Sequence, residues 1–212
     1  TLQGKGDLEI QESRLQGHPA TDHLKQLQWV GAQAVMRTHP WSPARLPRAI
    51  HRGSHKSCND QAEFLREELL AFIKKGFWTL IPFRLLKKRL NKVLRHLRLS
   101  PLGVIPQRER RPHLIVDYSF YEVNQEALQL SHKEAMQFGR ALERVLYYVR
   151  HANPRFGLVY LAKTDLSDGF YRVKLAPSSI PALGVVFPRM PGEEQLIAFP
   201  LVLPMGYVES PP

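Results

Sequence analysis

Residues 102–118 read LGVIPQRERRPHLIVDY, in which two short apolar runs, 102–106 and 113–118, flank the charged stretch 107–111. Apolar runs of this length joined by a few polar residues are typical of two strands and their turn. The stretch therefore predicts a β-hairpin with a basic tip. Helical patterns precede it and further strand patterns follow, an order that indicates an α+β domain with a mostly antiparallel sheet and flanking helices.

Two helical patterns lie before the hairpin. Asp60 and Glu63 form an N-cap pattern, and the apolar residues after them predict a helix over 61–75 that stops at Gly76. Over 84–97, apolar residues again keep a helical spacing while lysines and arginines occupy the other faces. This second pattern predicts a basic amphipathic helix.

A third helical pattern follows the hairpin. Ser131 and Glu134 form a capping box, and the pattern ends before Asn153 and Pro154. It predicts a helix with a buried apolar stripe. The members of that stripe are Ala135, Phe138, Leu142, Val145, Leu146 and Val149.

Strand patterns occupy the last third of the chain. Residues 158–166 predict a buried strand with Asp165 at its end, and 171–175 predict another. Two more strands, 183–187 and 196–201, are predicted with a turn at Pro191-Gly192 between them. A carboxylate at the end of an apolar strand is costly unless it meets a cation, although such an aspartate is also a common turn former.

The apolar residues of the N-terminal segment show no sustained helical or strand periodicity. Residues 1–59 contain four prolines and several histidines, which predicts a poorly ordered arm before a domain over 60–212. His51, His55 and Cys58 have spacings that suit metal ligands, but a structural zinc site normally takes four ligands and no fourth is evident. The interpretation favoured for these three residues is that they lie in loops.

The positive charge is concentrated in one segment. The chain has 30 Lys and Arg against 19 Asp and Glu, and residues 74–111 alone contain twelve bases and one acid. The rest of the chain has equal numbers of basic and acidic residues. The segment is therefore a candidate binding surface for a polyanion such as nucleic acid. A helix face that is basic only because it is solvated is the alternative. The candidate nucleic-acid-binding residues are Lys87, Lys88, Lys92, Arg95 and Arg108.

Composition also restricts the compartment. The longest uncharged stretches, 175–188 and 195–208, have 14 residues each, whereas a membrane span needs about 20. The polar start and the single cysteine do not suggest a secreted protein. We therefore expect an intracellular protein, cytoplasmic or nuclear, with no membrane span. Because the first residue is Thr1, we also expect it to be a piece of a longer chain.

Three motifs occur in a fixed order along residues 61–212. The first is a strand ending in Asp117 and Tyr118, with an asparagine a few residues on. The second has the form Asp-Leu-x-x-Gly-Phe-x-x-Val, and the third Leu-Pro-x-Gly-Tyr-x-x-Ser-Pro. Together, and with a Ser-Pro entry at Ser100, they resemble the reverse transcriptases of retroelements. The motif residues are Leu114, Ile115, Val116, Asp117, Tyr118, Asn124, Asp165, Leu166, Gly169, Phe170, Val173, Leu203, Pro204, Gly206, Tyr207, Ser210 and Pro211.

The resemblance implies the fingers and the N-terminal half of the palm of a right-hand polymerase. Such an enzyme is an RNA-directed DNA polymerase that binds an RNA template, a DNA primer and deoxynucleoside triphosphates, and it uses two Mg²⁺ ions. Asp165 and the Leu166 carbonyl would be metal ligands, and Asp165 would be catalytic. Phe170 would exclude a 2′-hydroxyl. The residues implied to bind the nucleotide are Asp168, Gly169, Phe170, Met205, Gly206, Arg110 and Arg111.

The chain departs from the family pattern at two positions. His113 stands where the family usually has an arginine, so triphosphate contact is either shifted to Arg110 and Arg111 or weakened. Met205 stands where many relatives have glutamine. The family's next motif, a pair of aspartates, would follow Pro212, and we therefore expect the 212-residue chain alone to be inactive.

Two other functions remain open from the sequence. One is a non-catalytic nucleic-acid-binding remnant of a retroelement, which would keep the fold without the chemistry. The other is a basic peripheral membrane protein, which only the 84–97 pattern favours. The oligomeric state is not determined by these patterns.

Overall fold

The computed structural model describes residues 16–17, 21–42, 44–88, 96–130, 140–162, 169–189 and 192–210. These residues form a mixed α+β fold with helices flanking a sheet. The helices are α1 (Thr21–Trp29), α2 (Arg45–Arg52), α3 (Ser57–Asp60), α4 (Ala62–Lys74), α5 (Phe83–Lys87), α6 (Val123–Glu126) and α7 (Ala141–Arg150). The strands are β1 (Trp78–Pro82), β2 (Leu99–Ser100), β3 (Leu102–Gln107), β4 (Arg110–Val116), β5 (Gly184–Val186) and β6 (Leu196–Pro200).

The predicted hairpin is confirmed as β3 and β4. The two strands pair antiparallel from Leu102 opposite Val116 to Gln107 opposite Arg110. Near the tip, two residues of β4 lie opposite one residue of β3, so β4 contains a bulge. The turn itself places Glu109 at a φ of 57°.

The main sheet has the order β1-β6-β5-β2. β6 pairs antiparallel with both β1 and β5, whereas β2 pairs parallel with β5. The strands predicted over 183–187 and 196–201 are therefore confirmed, and the sheet is mixed because of its one parallel pair. β1 was not predicted, since it is a five-residue run that leads directly into α5 through Pro82.

The predicted helix over 61–75 is confirmed as α4, which packs Leu65 and Leu69 into the core. Its end is set by Gly76, whose φ is 73°, and by a hydrogen bond from the Phe77 N–H to the Phe72 carbonyl. The predicted cap is wrong: Asp60 belongs to α3, and Gln61 occupies the N-cap position without a side-chain cap bond.

The described part of 1–59 packs into the core, unlike the poorly ordered arm predicted there. Trp41, Leu46 and Ala49 are buried in one cluster with strand residues of the main sheet. Cys58 is buried in a second cluster beneath α4 and the hairpin. Several short pieces each bury one or two side chains, which is why the segment shows no period in the sequence.

For two segments in the middle of the chain, the prediction that their apolar side chains are buried is wrong. α7 is helical as predicted, but Leu142, Val145, Leu146 and Val149 are exposed and no described segment covers them. The predicted buried strand fails over 158–162, where the backbone pairs with no strand among the described residues and the side chains are exposed. An apolar run becomes a strand only when a partner strand is available to pair with it.

The remaining predictions are met in part. A 3₁₀ helix at Phe170–Arg172 replaces the start of the strand predicted over 171–175, and two isolated bridges follow it at Lys174 and Leu175. α5 covers the start of the helix predicted over 84–97, whereas 89–95 lie outside the described residues.

Residues 131–139 and 163–168 also lie outside the described residues, so the predictions made for them are not tested. In the described parts of the chain, no helix has the length and apolarity needed to cross a bilayer.

Candidate nucleotide and nucleic-acid site

The candidate site lies where the hairpin meets the segment 203–210. β4 ends at Val116, and Asp117 then forms a turn in which its Oδ1 accepts hydrogen bonds from the Ser119 N–H at 3.1 Å and the Phe120 N–H at 2.9 Å. Its Oδ2 lies 3.1 Å from the Nε2 of His55. The Asp117 carboxylate is therefore engaged by three partners, and it links the hairpin to the segment between α2 and α3.

Asn124 joins two of the sequence motifs. Its Nδ2 donates to the Gly206 carbonyl at 3.0 Å, and its Oδ1 accepts from the Val208 N–H at 3.0 Å. The ring of Tyr118 also meets that of Tyr207 edge-on, with centroids 6.2 Å apart. Residues more than eighty positions apart in the chain are thus held together by a side-chain amide that satisfies both a donor and an acceptor.

The segment 203–210 is a compact turn. Ser210 donates from its Oγ to the Pro204 carbonyl at 2.6 Å, and its N–H donates to the Tyr207 carbonyl at 2.9 Å. Burial, with a contribution from the charge of Glu209, raises the pKa of Tyr207 well above its ordinary value. Tyr207 is therefore an uncharged anchor in the core.

Gly206 lies against the end of β4 in the hairpin. Its φ is 90°, and a Cβ added there would come within 3.1 Å of the Val116 carbonyl oxygen. Both features favour glycine over any residue with a side chain. Met205, beside it, exposes 44% of its surface.

A small pocket opens between the hairpin base and this turn. Its walls are mainly apolar and aromatic, and the Nε1 of Trp78 in its wall has no acceptor among the described residues. Tyr171, the neighbour of Phe170, stacks on Phe77 with ring centroids 5.0 Å apart. The lining residues are Phe72, Trp78, Leu114, Val116, Tyr171, Pro204 and Met205.

The structure brings some of the predicted nucleotide-binding residues near this pocket. Met205 lines it, Gly206 follows Met205, and Gly169 and Phe170 immediately precede its wall residue Tyr171. Phe170 is partly buried. The predicted metal ligands Asp165 and Leu166, with Asp168, lie outside the described residues. Within the ranges that are described, no three His, Cys, Asp or Glu side chains are grouped to hold a metal ion.

The hairpin arginines differ in their surroundings. Arg111 pairs with Glu68 of α4 at 2.9 Å and lies over the ring of Phe64, as the bulge in β4 turns it toward α4. Arg108 and Arg110 are exposed at the tip. The predicted triphosphate contact is therefore less available from Arg111 than from Arg110.

The other predicted nucleic-acid-binding residues follow β1. Lys87 and Lys88 are exposed at the end of α5, and the Lys87 Nζ lies 5.1 Å from the Phe83 ring centroid. Lys92 and Arg95 lie outside the described residues.

Sequence reasoning missed one buried ionic cluster close to Asn124. Glu126 accepts hydrogen bonds from Arg98 at 2.7 Å, from Arg45 at 2.7 Å and from the Trp41 Nε1 at 3.0 Å. Burial acts to raise the pKa of Glu126, but these hydrogen bonds outweigh it and hold the pKa below the usual 4.5. No local pattern in the sequence signals the cluster, because its members lie 28 to 85 positions from Glu126.

Fold and site together define a mixed α+β protein with an apolar pocket beside a basic hairpin. Compared with protein-family models and with curated proteins, the chain has no match.

Proposed function

We propose that this chain forms the fingers and the first half of the palm of a retroelement reverse transcriptase, an RNA-directed DNA polymerase. The observation that carries the proposal is the pair of hydrogen bonds made by the Asn124 side chain, which donates to the Gly206 carbonyl and accepts from the Val208 N–H. Two motifs that the resemblance gives to one polymerase are in contact through a matched donor and acceptor.

The chemistry of the pocket supports nucleotide binding. Its apolar and aromatic walls offer a surface for the face of a base at the pocket mouth, since the cavity of about 20 Å³ holds no more than one water molecule. Arg110 supplies an exposed positive charge on the hairpin whose base forms one wall. These features agree with a site for a deoxynucleoside triphosphate.

The catalytic half of the proposal rests on the resemblance. Asp165 and the Leu166 carbonyl would offer the oxygen ligands that Mg²⁺ prefers. The bound metal would stabilise the negative charge that develops during nucleotidyl transfer. Under this proposal, Asp165→Asn in the full-length protein abolishes primer extension and leaves duplex binding unchanged, because binding depends on the basic segment.

The salt dependence of duplex binding tests the part of the proposal that concerns nucleic-acid binding. Affinity of the chain for an RNA–DNA duplex is measured by fluorescence anisotropy between 50 and 300 mM salt, for the unmodified chain and for the triple variant Lys87→Gln, Lys88→Gln, Arg110→Gln. Each phosphate contact contributes a slope of about −0.9 on a log–log plot for duplex DNA, so the variant should lose a slope of about 2 to 3.

A charge-matched control separates a local effect from net charge. Arg48→Gln, Lys56→Gln, Arg189→Gln removes the same charge from exposed positions outside the basic segment. The control should keep most of the slope. Equal slopes for the two triple variants would show that residues 74–111 are not the binding surface.

Primer extension tests the catalytic assignment in a longer protein that includes the rest of the palm. Extension by the Asp165→Asn variant of that longer protein would refute the assignment. Inactivity of the longer protein without the substitution would favour the non-catalytic remnant.

A further inference from the structure

Residues 142–161 contain most of the large apolar side chains that are exposed in the described parts of the chain. Of the 21 exposed large hydrophobic residues there, 11 lie in this one stretch. They belong to α7 and to the segment after it, where Phe156 and Tyr160 are 87% and 85% exposed. Single exposed hydrophobic residues are normal on a protein surface, whereas a concentrated patch indicates a contact with a partner.

α7 has an aliphatic stripe on one side and a cation on the other. Leu142, Val145, Leu146 and Val149 keep the spacing of a single helical face, and all four are exposed. Because an α-helix advances about 100° per residue, Arg144 lies about 150° from the centre of this stripe. α7 is therefore an amphipathic helix whose apolar face is not covered by any described segment.

The two borders of the stripe are formed by Tyr148 and Arg150, one on each side. Both side chains are exposed. Tyrosine and arginine combine an apolar body with a polar tip, so that at such a border the body follows the apolar face while the tip stays in water. These borders suit the boundary between an apolar phase and water.

The charge around the stripe is positive. Residues 140–162 contain four arginines and one acid, Glu143. Glu143 lies 3.6 Å from Arg140, and both side chains of this ion pair are largely exposed. A partner that covers the stripe is therefore favoured if it also carries negative charge.

We propose that residues 140–162 bind the surface of a bilayer that contains anionic lipids, with α7 lying in the plane of the interface. The aliphatic stripe faces the acyl chains, and the arginines face the headgroup phosphates. α7 has ten residues, and a helix of that length is marginal in water unless its apolar face is covered. The inference goes beyond the proposed function and concerns a different surface from residues 74–111.

Other occupants fit these residues less well. A helix of another protein, packed on the stripe, contacts only that side of α7 and leaves Arg140 and Arg144 without a partner molecule. A second copy of the chain brings the same positive charge to the contact. A nucleic acid supplies phosphates but no apolar phase for the leucines and valines. Lipid headgroups flank an interfacial helix while acyl chains lie beneath it, so that a bilayer surface meets both requirements.

The test compares binding of the full 212-residue chain to phosphatidylcholine vesicles with and without phosphatidylserine, measured by flotation. Phosphatidylserine should strengthen binding by at least about tenfold. Leu142→Gln, Leu146→Gln should weaken binding to the phosphatidylserine vesicles by about tenfold or more, because leucine gains from leaving water and glutamine does not. Glutamine is also a good helix former, so α7 is retained.

The matched control for the leucines is Leu70→Gln, Leu130→Gln, which removes two exposed leucines from other parts of the chain. Neither pair changes the net charge, so only the stripe pair should lose vesicle binding. For the charge, Arg144→Gln, Arg150→Gln should weaken binding by about fivefold for each arginine. Arg48→Gln, Arg189→Gln removes the same charge from exposed positions elsewhere and should weaken it less.

A polarity-sensitive fluorophore tests which side of α7 enters the lipid. Leu146 and Tyr147 are both 59% exposed, but only Leu146 belongs to the stripe. The fluorophore on Leu146→Cys should shift its emission to shorter wavelength when phosphatidylserine vesicles are added, and the fluorophore on Tyr147→Cys should shift much less. Cys58 is 1% exposed, so the introduced cysteine takes the label.

Several results would overturn the inference. They are binding that does not depend on phosphatidylserine, equal losses for the two leucine pairs, equal losses for the two arginine pairs, and equal emission shifts at the two labelled positions. Sedimentation velocity without vesicles tests the second copy: a dimer that Leu142→Gln, Leu146→Gln converts to a monomer would assign the stripe to self-association instead. Failure of the duplex test on residues 74–111 would leave these results unaffected, so the two proposals are separately testable.

Discussion

At the scale of single residues, Gly206 has the most constrained place in the candidate site. Its φ of 90° disfavours L side chains, and the Val116 carbonyl oxygen lies 3.1 Å from where a Cβ would be. Gly192 offers a comparison, since its φ is 84° and no described residue lies within 4 Å of its Cβ position. The two glycines differ in their surroundings and not in their φ.

Gly206→Ala should therefore destabilise the chain more than Gly192→Ala. The backbone penalty is about 1–2 kcal/mol for each, and the contact with Val116 adds to it only at Gly206. Urea denaturation of both variants measures the difference in the free energy of unfolding. Equal losses would mean that the hairpin and the turn are not in close contact in solution.

At the scale of elements, α6 connects the hairpin to the turn 203–210. The helix is short and begins after Glu122, whose φ is 60°. Its stability cannot come from its length, because one turn of helix is not stable alone. Asn124 supplies two hydrogen bonds to the turn, and Val123 is fully buried.

Asn124→Ala should lower the free energy of unfolding by about 1–3 kcal/mol, since each of the two lost hydrogen bonds contributes about 0.5–1.5 kcal/mol. Gln125→Ala is the matched control on the same helix, because the Gln125 side chain is exposed. The control should change stability by less than about 0.5 kcal/mol. Urea denaturation gives both values, and similar losses would contradict the role of Asn124.

At the scale of the whole molecule, Glu126 connects separate parts of the chain. Its carboxylate binds Trp41 and Arg45 from the N-terminal segment and Arg98 from the residues before β2. Arg98 is 2% exposed and also donates to the His39 carbonyl. Removal of the single acid would leave a buried guanidinium without its counter-charge.

Glu126→Gln should lower stability at pH 7 by about 3–5 kcal/mol, the usual cost of breaking a buried ion pair. The pKa of Glu126 is lowered in the folded state, so its contribution is fully present above pH 4.5 and is lost as the pH falls below that value. The stability difference between the unmodified chain and the variant should therefore shrink below pH 4.5. Urea denaturation at pH 7, 5 and 3.5 measures it.

Glu122→Gln is the control for this prediction. Glu122 is 72% exposed and lies 3.9 Å from Arg45, so its loss should cost little at any of these pH values. A Glu126 variant with the same small effect as the control would show that the cluster does not hold the N-terminal segment in place.

The sequence by itself determined the elements whose signal is local. The hairpin follows from two apolar runs around a charged turn. α4 follows from apolar residues at helical spacing that end at Gly76. β5 and β6 follow from apolar runs on either side of a turn. Each depends on residues within about twenty positions of one another. For the candidate site, the family resemblance identified Pro204, Gly206 and Tyr207 as parts of a motif without showing what they contact.

Only the tertiary structure decided which segments meet. The link between Asn124 and Gly206, the pairing of His55 with Asp117 and the cluster around Glu126 each join residues from distant parts of the chain. The exposure of the apolar stripe of α7 was decided at the same level. Periodicity states which side of an element is apolar, but burial depends on whether another part of the molecule covers that side.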